Sequence, residues 1–228
     1  MTRTVLSTEQ IYQYLRDGYL LVSGLIPPEV AARAEAAMWR CLGIDPNVPE
    51  SWKSMSPDVR PGSDSDPDLA ACYTPEVLVA AAHLGEGNPA ADYPAPRRAG
   101  ALNIFPQEGE WSPHAPHIDH AIKEHGHKTF PYAFRVASML YLNDVERHSA
   151  GTVVWPGSHL KIEALARSNP ERYEYMWPLN RDLHLVNLGE VVELTPKRGD
   201  VLFYHVFCAH SGSKNAGSRP RFAFNCKW

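Results

Sequence analysis

The run Ser112-Pro113-His114-Ala115-Pro116-His117-Ile118-Asp119-His120 decides how the rest of this chain is read. Within it, His117 and Asp119 stand one residue apart. On an extended backbone, residues i and i+2 project to the same face, so one short strand would offer a metal an imidazole and a carboxylate together. H-x-D pairs are common and most are surface polar residues, so the pair acquires chemical meaning only when its context agrees. The context needed is a third donor, and the candidate is His210, in Phe207-Cys208-Ala209-His210-Ser211-Gly212. Two histidines and one carboxylate, with the remaining coordination positions open, form the facial triad of non-haem Fe(II) sites.

Around this stretch the chain reads as mainly β. After Gly100, short apolar or alternating runs cover residues 101–105, 117–119, 135–142, 152–155, 191–194, 200–205, 208–210 and 221–227. Turn residues such as Asn143-Asp144, Pro156-Gly157 and Lys197-Arg198-Gly199-Asp200 separate most of them. Short strands at such intervals point to an all-β barrel or jelly roll. In this count His117 and Asp119 lie on the second strand and His210 opens the seventh. In a double-stranded jelly roll those two strands meet at one open end, where a third ligand is needed. Residues 160–186 interrupt the strands with a helical stretch and an aromatic-rich loop, an insert placed to act as a lid.

The N-terminal part, residues 1–99, reads as helices and loops that pack on the outside of one sheet. Ser7 and Gln10 form a capping box for a helix ending at Asp17-Gly18, and Tyr19-Leu20-Leu21-Val22 follows as a short strand. Pro27-Pro28-Glu29 opens a second helix that Gly43 ends, and Thr74 caps a third that ends near Gly85. Residues 45–68 and 89–98, rich in Pro, Ser, Asp and Gly, read as loops. The whole, residues 1–228, is expected to form a single domain with its β core at 100–228.

Composition excludes several classes. The 228 residues are 44% hydrophobic and 21% charged, as in globular proteins. A formal net charge of -4 argues against a general nucleic-acid binder, although a mildly acidic protein tolerates a cationic substrate. No apolar run is long enough to span a bilayer, and residues 1–7 carry no signal-peptide apolar region. Cys41, Cys72, Cys208 and Cys226 are scattered, which predicts reduced thiols in a cytoplasmic protein and no cysteine-built zinc site. The partner expected is a small molecule, with neither nucleic acid nor membrane; nothing in the sequence fixes an oligomeric state.

Four segments together resemble a known family. They are Glu9-Gln10 through Asp17-Gly18-Tyr19-Leu20-Leu21-Val22 to Pro28-Glu29; Thr152-Val153-Val154-Trp155-Pro156-Gly157-Ser158-His159; Gly199-Asp200-Val201-Leu202-Phe203; and His210, Asn215 and Arg221 in an H-x4-N-x5-R spacing. Over nearly the whole chain the sequence is similar to the phytanoyl-CoA hydroxylase-like Fe(II)/2-oxoglutarate dioxygenases. The resemblance implies a cupin-like double-stranded β-helix (jelly roll) with helices on its major sheet. It implies that His117, Asp119 and His210 hold Fe(II), and that Arg221 pairs with the C5 carboxylate of 2-oxoglutarate, a use that suits a guanidinium. It further implies that O2 oxidises an aliphatic C–H with release of succinate and CO2, giving hydroxylation or ring closure. The sequence departs from the family pattern in two places. Gly212, flanked by Ser211 and Ser213, stands where a serine is frequent, and Met139 stands where a tryptophan is frequent. The cosubstrate contacts expected are therefore Arg221, Asn103, Ser213 and Met139. Asp119 leaves no room for halide, which disfavours chlorination. The small size and aromatic lid resemble natural-product tailoring members acting on sugar-containing antibiotics such as aminoglycosides or orthosomycins; an acyl-CoA hydroxylase is the alternative.

Substrate contact is expected from residues 120–132 and 172–178, through His120, Arg135, Tyr173 and Trp177. The plainer reading has equal standing for the last two: Tyr173 and Trp177 cover the barrel end as core, and Arg135 is a rim charge. His159 reads as a structural turn residue and His205 as packing beside the barrel. Asn215 ties down its loop. Arg219 competes with Arg221, but Pro220 separates them, and strand alternation sends Arg221, Ala223 and Asn225 to one face. A zinc hydrolase or isomerase, or a non-catalytic barrel, remains open at this level; neither needs a buried arginine opposite the metal.

Overall fold

Local signals start and stop the N-terminal helices in the computed structural model, which describes residues 5–52, 62, 64–97 and 99–228. Ser7 Oγ accepts from Gln10 N at 3.2 Å while Ser7 N donates to Gln10 Oε1 at 2.8 Å, and this reciprocal cap opens α1 (Thr8–Asp17). Gly18 closes α1 in the left-handed region and β1 (Tyr19–Val22) follows. α2 (Pro28–Leu42) carries proline in its first turn and ends at Gly43. The expected loop 45–68 contains a 3-10 turn, Pro49–Trp52, and the start of a short α3 (Pro67–Ala70); its residues 53–61 and 63 lie outside the described residues. Thr74 Oγ1 caps α4 (Pro75–Glu86), which runs past Gly85 and ends at Gly87, in the left-handed region with its N–H on the His83 carbonyl; at Gly85 the Tyr93 hydroxyl packs where a side chain would stand.

The remaining strands are β2 (Gly100–Ala101), β3 (Ala137–Tyr141), β4 (Val153–Val154), β5 (Val192–Glu193), β6 (Val201–Tyr204), β7 (His210–Ser211) and β8 (Ala223–Lys227). They form two antiparallel sheets, of order β1-β6-β3-β8-β2 and β5-β4-β7. Alternation divides the large sheet's side chains. Leu140, Val201, Phe203 and Phe224 pack with Ala34, Met38 and Trp39 of α2 and Val77 of α4. Met139, Tyr141, Leu202 and Ala223 point the other way. They pack with Val153 and Val154 of the small sheet and with Ile162 and Met176 of two inserted helices, α5 (Ser158–Ser168) and α6 (Met176–Arg181). With both faces covered, every residue of β3 is buried. The N-terminal helices thus lie against one face of the large sheet, and the other face looks toward the small sheet and the two inserted helices. Among the described residues no helix is long and apolar enough to cross a membrane.

The structure corrects three expectations. The strands are shorter than the apolar runs, and residues 117–119 are not a regular strand: His117 makes a single bridge, to His210. Pro113 and Pro116 have no N–H to give a ladder. Ile118 N donates instead to Asn180 Oδ1 at 2.8 Å, and Asp119 lies in the turn that follows. His159 is not a turn residue. It sits in the first turn of α5, with Nε2 donating to the Leu15 carbonyl at 3.1 Å.

Two contacts fix the depth of β6. Ile26 N donates to the Gly199 carbonyl at 3.0 Å, and Asp200 accepts from Gly24 N at 3.0 Å and Lys197 N at 2.8 Å. Gly199 has φ +85°, and a Cβ there would collide with the Ile26 carbonyl. Gly199→Ala is expected to cost at least about 2 kcal/mol, read as a lowered denaturant midpoint.

At the other end of β6, His205 Nδ1 accepts from Phe207 N at 3.2 Å, which requires the neutral ring. Burial, with His159 adding to it, pushes its pKa down to about 4. The unfolded chain takes up this proton near 6.5 and the folded chain near 4, so stability attributable to His205 is full above 6.5 and is lost as pH falls toward 4. A loss of up to roughly 3 kcal/mol over that window is expected, with a shallower pH dependence in His205→Gln.

Candidate active site

The site begins with a backbone pairing. His117 N donates to the His210 carbonyl and His210 N to the His117 carbonyl, each at 3.0 Å, which holds the two rings with centroids 4.6 Å apart. The turn after Ile118 then brings in Asp119. One ligand atom from each of His117, Asp119 and His210 lies within 4.8 Å of the others, close enough for all three to share a metal ion. His210 Nδ1 donates to the Cys208 carbonyl at 3.0 Å, which leaves the lone pair on Nε2, 3.6 Å from Asp119 Oδ2.

Charge at the site favours metal-binding protonation states. Burial, then the neighbouring His210, pushes His117 down to about 4. Burial alone would raise the Asp119 carboxyl, but His210, Lys227 and the Tyr204 hydroxyl outweigh it and hold the group at about 2. Both are therefore deprotonated at neutral pH, as metal ligation requires. Asp119 is also held in a closed ring of side chains. Tyr204 donates to Oδ2 at 2.9 Å, Asn225 Nδ2 donates to the Tyr204 hydroxyl at 2.7 Å, and Lys227 reaches Asn225 Oδ1 at 2.6 Å and Asp119 Oδ2 at 3.2 Å.

Across the cavity lies Arg221, 3% exposed. Its Nη1 donates to the Ala150 carbonyl at 3.1 Å and Thr152 Oγ1 at 3.3 Å, and Nη2 to the Leu102 carbonyl at 2.9 Å. Its Nε has no partner, and among the described residues no carboxylate pairs with it. A buried guanidinium without a counter-ion is costly by itself and calls for an anion. Arg219, the competitor, is exposed and lies 3.5 Å from Glu35.

The triad and Arg221 line one cavity of about 640 Å³. Of the other expected cosubstrate contacts, Met139 and Asn103 also line it, and Asn103 Oδ1 is buried without a partner. Ser213 does not line it: its hydroxyl is buried and donates to the Gly151 carbonyl at 2.7 Å. Of the expected substrate contacts, none lines this cavity. His120 comes nearest, next to Asp119 at φ +59° and stacked on His127 with centroids 4.3 Å apart. Arg135 is exposed on the outside, 3.4 Å from Glu86. Tyr173 is buried within the insert and its hydroxyl donates to Asp182 at 3.2 Å, the core role that had equal standing. Trp177 is half-buried with Lys123 and Arg181 over its ring at 5.1 and 5.5 Å. Tyr204, Asn225 and Lys227 were missed. The signal was present: alternation along β8 puts Asn225 and Lys227 on the face that carries Arg221.

With this geometry in view, the chain belongs to the phytanoyl-CoA dioxygenase (PhyH) family, which matches residues 14–223. It is thus an iron- and 2-oxoglutarate-dependent oxygenase. No curated protein matches the chain. Similar solved structures include the epimerase SnoN in complex with Fe3+, α-ketoglutarate and nogalamycin RO, with TM-score 0.64 and 20% identity over 96% of this chain and 81% of SnoN. The non-haem α-ketoglutarate-dependent carbocyclase SnoK from nogalamycin biosynthesis has TM-score 0.64 and 19% identity over 99% of this chain and 85% of SnoK. HygX from Streptomyces hygroscopicus, with nickel and 2-oxoglutarate bound, has TM-score 0.56 and 16% identity over 96% of this chain and 85% of HygX. At these identities the likeness speaks for the fold.

The hydrogen bond from Tyr204 orients Asp119, and for a carboxylate that ligates a metal, losing such a partner typically costs 10–100-fold in metal affinity. Tyr204→Phe is therefore expected to weaken nickel binding by at least about tenfold by calorimetry, with the thermal midpoint nearly unchanged, whereas His210→Ala abolishes binding.

Proposed function

We propose that this chain uses Fe(II), 2-oxoglutarate and O2 to oxidise an aliphatic C–H of a small polar natural product, by hydroxylation or oxidative ring closure. The observation that carries the reading is Arg221, a buried cation lacking a counter-ion in the same cavity as the His117, Asp119 and His210 donors. The donor set fits iron, and the orphaned Arg221 Nε fits a dicarboxylate reaching back from it. His117, Asp119 and His210 would hold the metal, and Arg221, with Thr152 beside it, the far carboxylate of the oxo acid. Bound there, the iron and 2-oxoglutarate supply the two-electron oxidation of a C–H bond with release of succinate and CO2. The chain's own work is to hold these groups and keep water away. Leu102, Ile104 and Met139 give the cavity apolar walls, and Tyr204 keeps Asp119 aimed. In this reading the two sheets are the halves of a double-stranded β-helix, and residues 1–228 are one catalytic domain. The natural-product setting draws support from SnoN and SnoK, whose fold this chain shares, and sugar-bearing compounds are the first class to screen.

Succinate release that requires Fe(II) and O2 supports the proposal. Turnover supported by zinc without O2 would instead identify a hydrolase. Arg221→Ala is expected to raise the 2-oxoglutarate dissociation constant by at least about tenfold, the worth of one charge-assisted pair, while metal affinity stays near that of the parent. Unchanged cosubstrate binding in that variant would refute the role given to Arg221.

A further inference from the structure

The inner face of the last strand carries two cations. Arg221 and Lys227 are six residues apart on the same face, roughly 20 Å along an extended chain. Lys227 reaches the triad at Asp119, 3.2 Å away, whereas Arg221 bonds to Ala150, Thr152 and Leu102. Resting on the reading above, 2-oxoglutarate occupies the Arg221 end, since it must reach from that guanidinium to the metal. Lys227, its side chain 20% exposed, lines the same cavity at the Asp119 end.

Charge accounting singles this residue out. Among the residues lining the cavity, Asp119 is the acid and Arg221 and Lys227 are the fixed cations. A divalent metal and a doubly charged oxo acid cancel each other, and Asp119 offsets one of the two fixed cations, so the filled cavity keeps one positive charge. With the oxo acid on Arg221, Lys227 is the cation within reach of an incoming group. An ammonium has three N–H donors; Asp119 and Asn225 take two, which leaves one for an incoming acceptor.

We infer that Lys227 forms an anion subsite on the substrate side of the metal, and that the substrate carries an acidic group, a carboxylate or a phosphate ester, that docks on it. A polycationic aminoglycoside is the substrate this wall would reject, although the protein as a whole is mildly acidic. Lys227 is on this account a specificity-determining residue in addition to its contact with Asp119.

The test uses the full chain loaded with Mn(II) and 2-oxoglutarate and four sugar probes of similar size: glucuronate, glucose 6-phosphate, glucose and glucosamine. Manganese relaxes the protons of any ligand close to it, so ligand-observed NMR reports binding in this cavity specifically. The expected result is that at least one acid binds at least about tenfold tighter than glucose, with glucosamine weakest. Glucuronate as the tighter acid points to a carboxylic substrate and glucose 6-phosphate to a phosphate ester. In Lys227→Gln the preference disappears and Lys227→Arg keeps it. Because Lys227 also borders Asp119, manganese affinity is measured for each variant and sugar binding is compared at metal saturation. Equal binding of all four probes, or no relaxation of either acid at millimolar concentration, overturns the inference. So does a loss of oxo-acid affinity in Lys227→Gln as large as the loss for the sugar acid, which would put Lys227 on the cosubstrate. A chain that takes up neither manganese nor 2-oxoglutarate fails the oxygenase reading itself; one that takes up both without preferring acids fails this inference alone.

Discussion

The pairing of His117 with His210 is the constraint on which the rest of the structure depends. Two backbone hydrogen bonds of 3.0 Å join a proline-rich segment to β7, far away in sequence, and fix two imidazoles side by side, their planes 50° apart. Ahead of His117 the same segment is tied to the chain after β7, His114 N donating to the Gly212 carbonyl and Lys214 N to the Ser112 carbonyl, each at 3.0 Å; past His117 the pairing stops, because Ile118 N is given to Asn180. The bridge is short for that reason, and its shortness is useful: the chain turns at once and delivers Asp119 beside both rings. A longer strand at 117–119 would have kept the carboxylate in the sheet.

Burying these groups sets up an electrostatic problem that the surrounding side chains solve. A carboxylate enclosed between two sheets would ordinarily be driven toward its neutral form. Tyr204, Lys227 and His210 reverse that for Asp119, and each comes from a different strand. Arg221 is left unsolved within the protein: carbonyls of Ala150 and Leu102 accept from it, but no negative charge meets it. An uncompensated cation at one end of the cavity and a balanced acid at the other give the site a direction.

Much of this was legible in the sequence. The capping box at Ser7, the prolines opening α2 and α4 and the alternation of β3, β6 and β8 are local signals, and the structure follows them. The triad and Arg221 could be read because residue type, spacing and a family resemblance agreed. What could not be read depends on long-range packing. Periodicity cannot show that Asn180, in the insert, would take the Ile118 N–H and end the strand. Ser213 and Met139 are alike in lying on strand-like runs near the triad, yet Ser213 spends its hydroxyl on Gly151 whereas Met139 faces the cavity. Arg135 and Tyr173 have the right chemistry for a substrate contact, but Glu86 draws one outward and Asp182 draws the other into the insert's core. Lys227 was the opposite case: its face was implied by the alternation that chose Arg221, but its nearness to Asp119 appears only in the fold.

The most direct measurement is a crystal structure of the chain grown with nickel and 2-oxoglutarate. The account predicts one metal ion held by His117, Asp119 and His210, with the oxo acid chelating it and its far carboxylate on Arg221. A metal bound elsewhere, or an oxo acid whose far carboxylate lies away from Arg221, would contradict it.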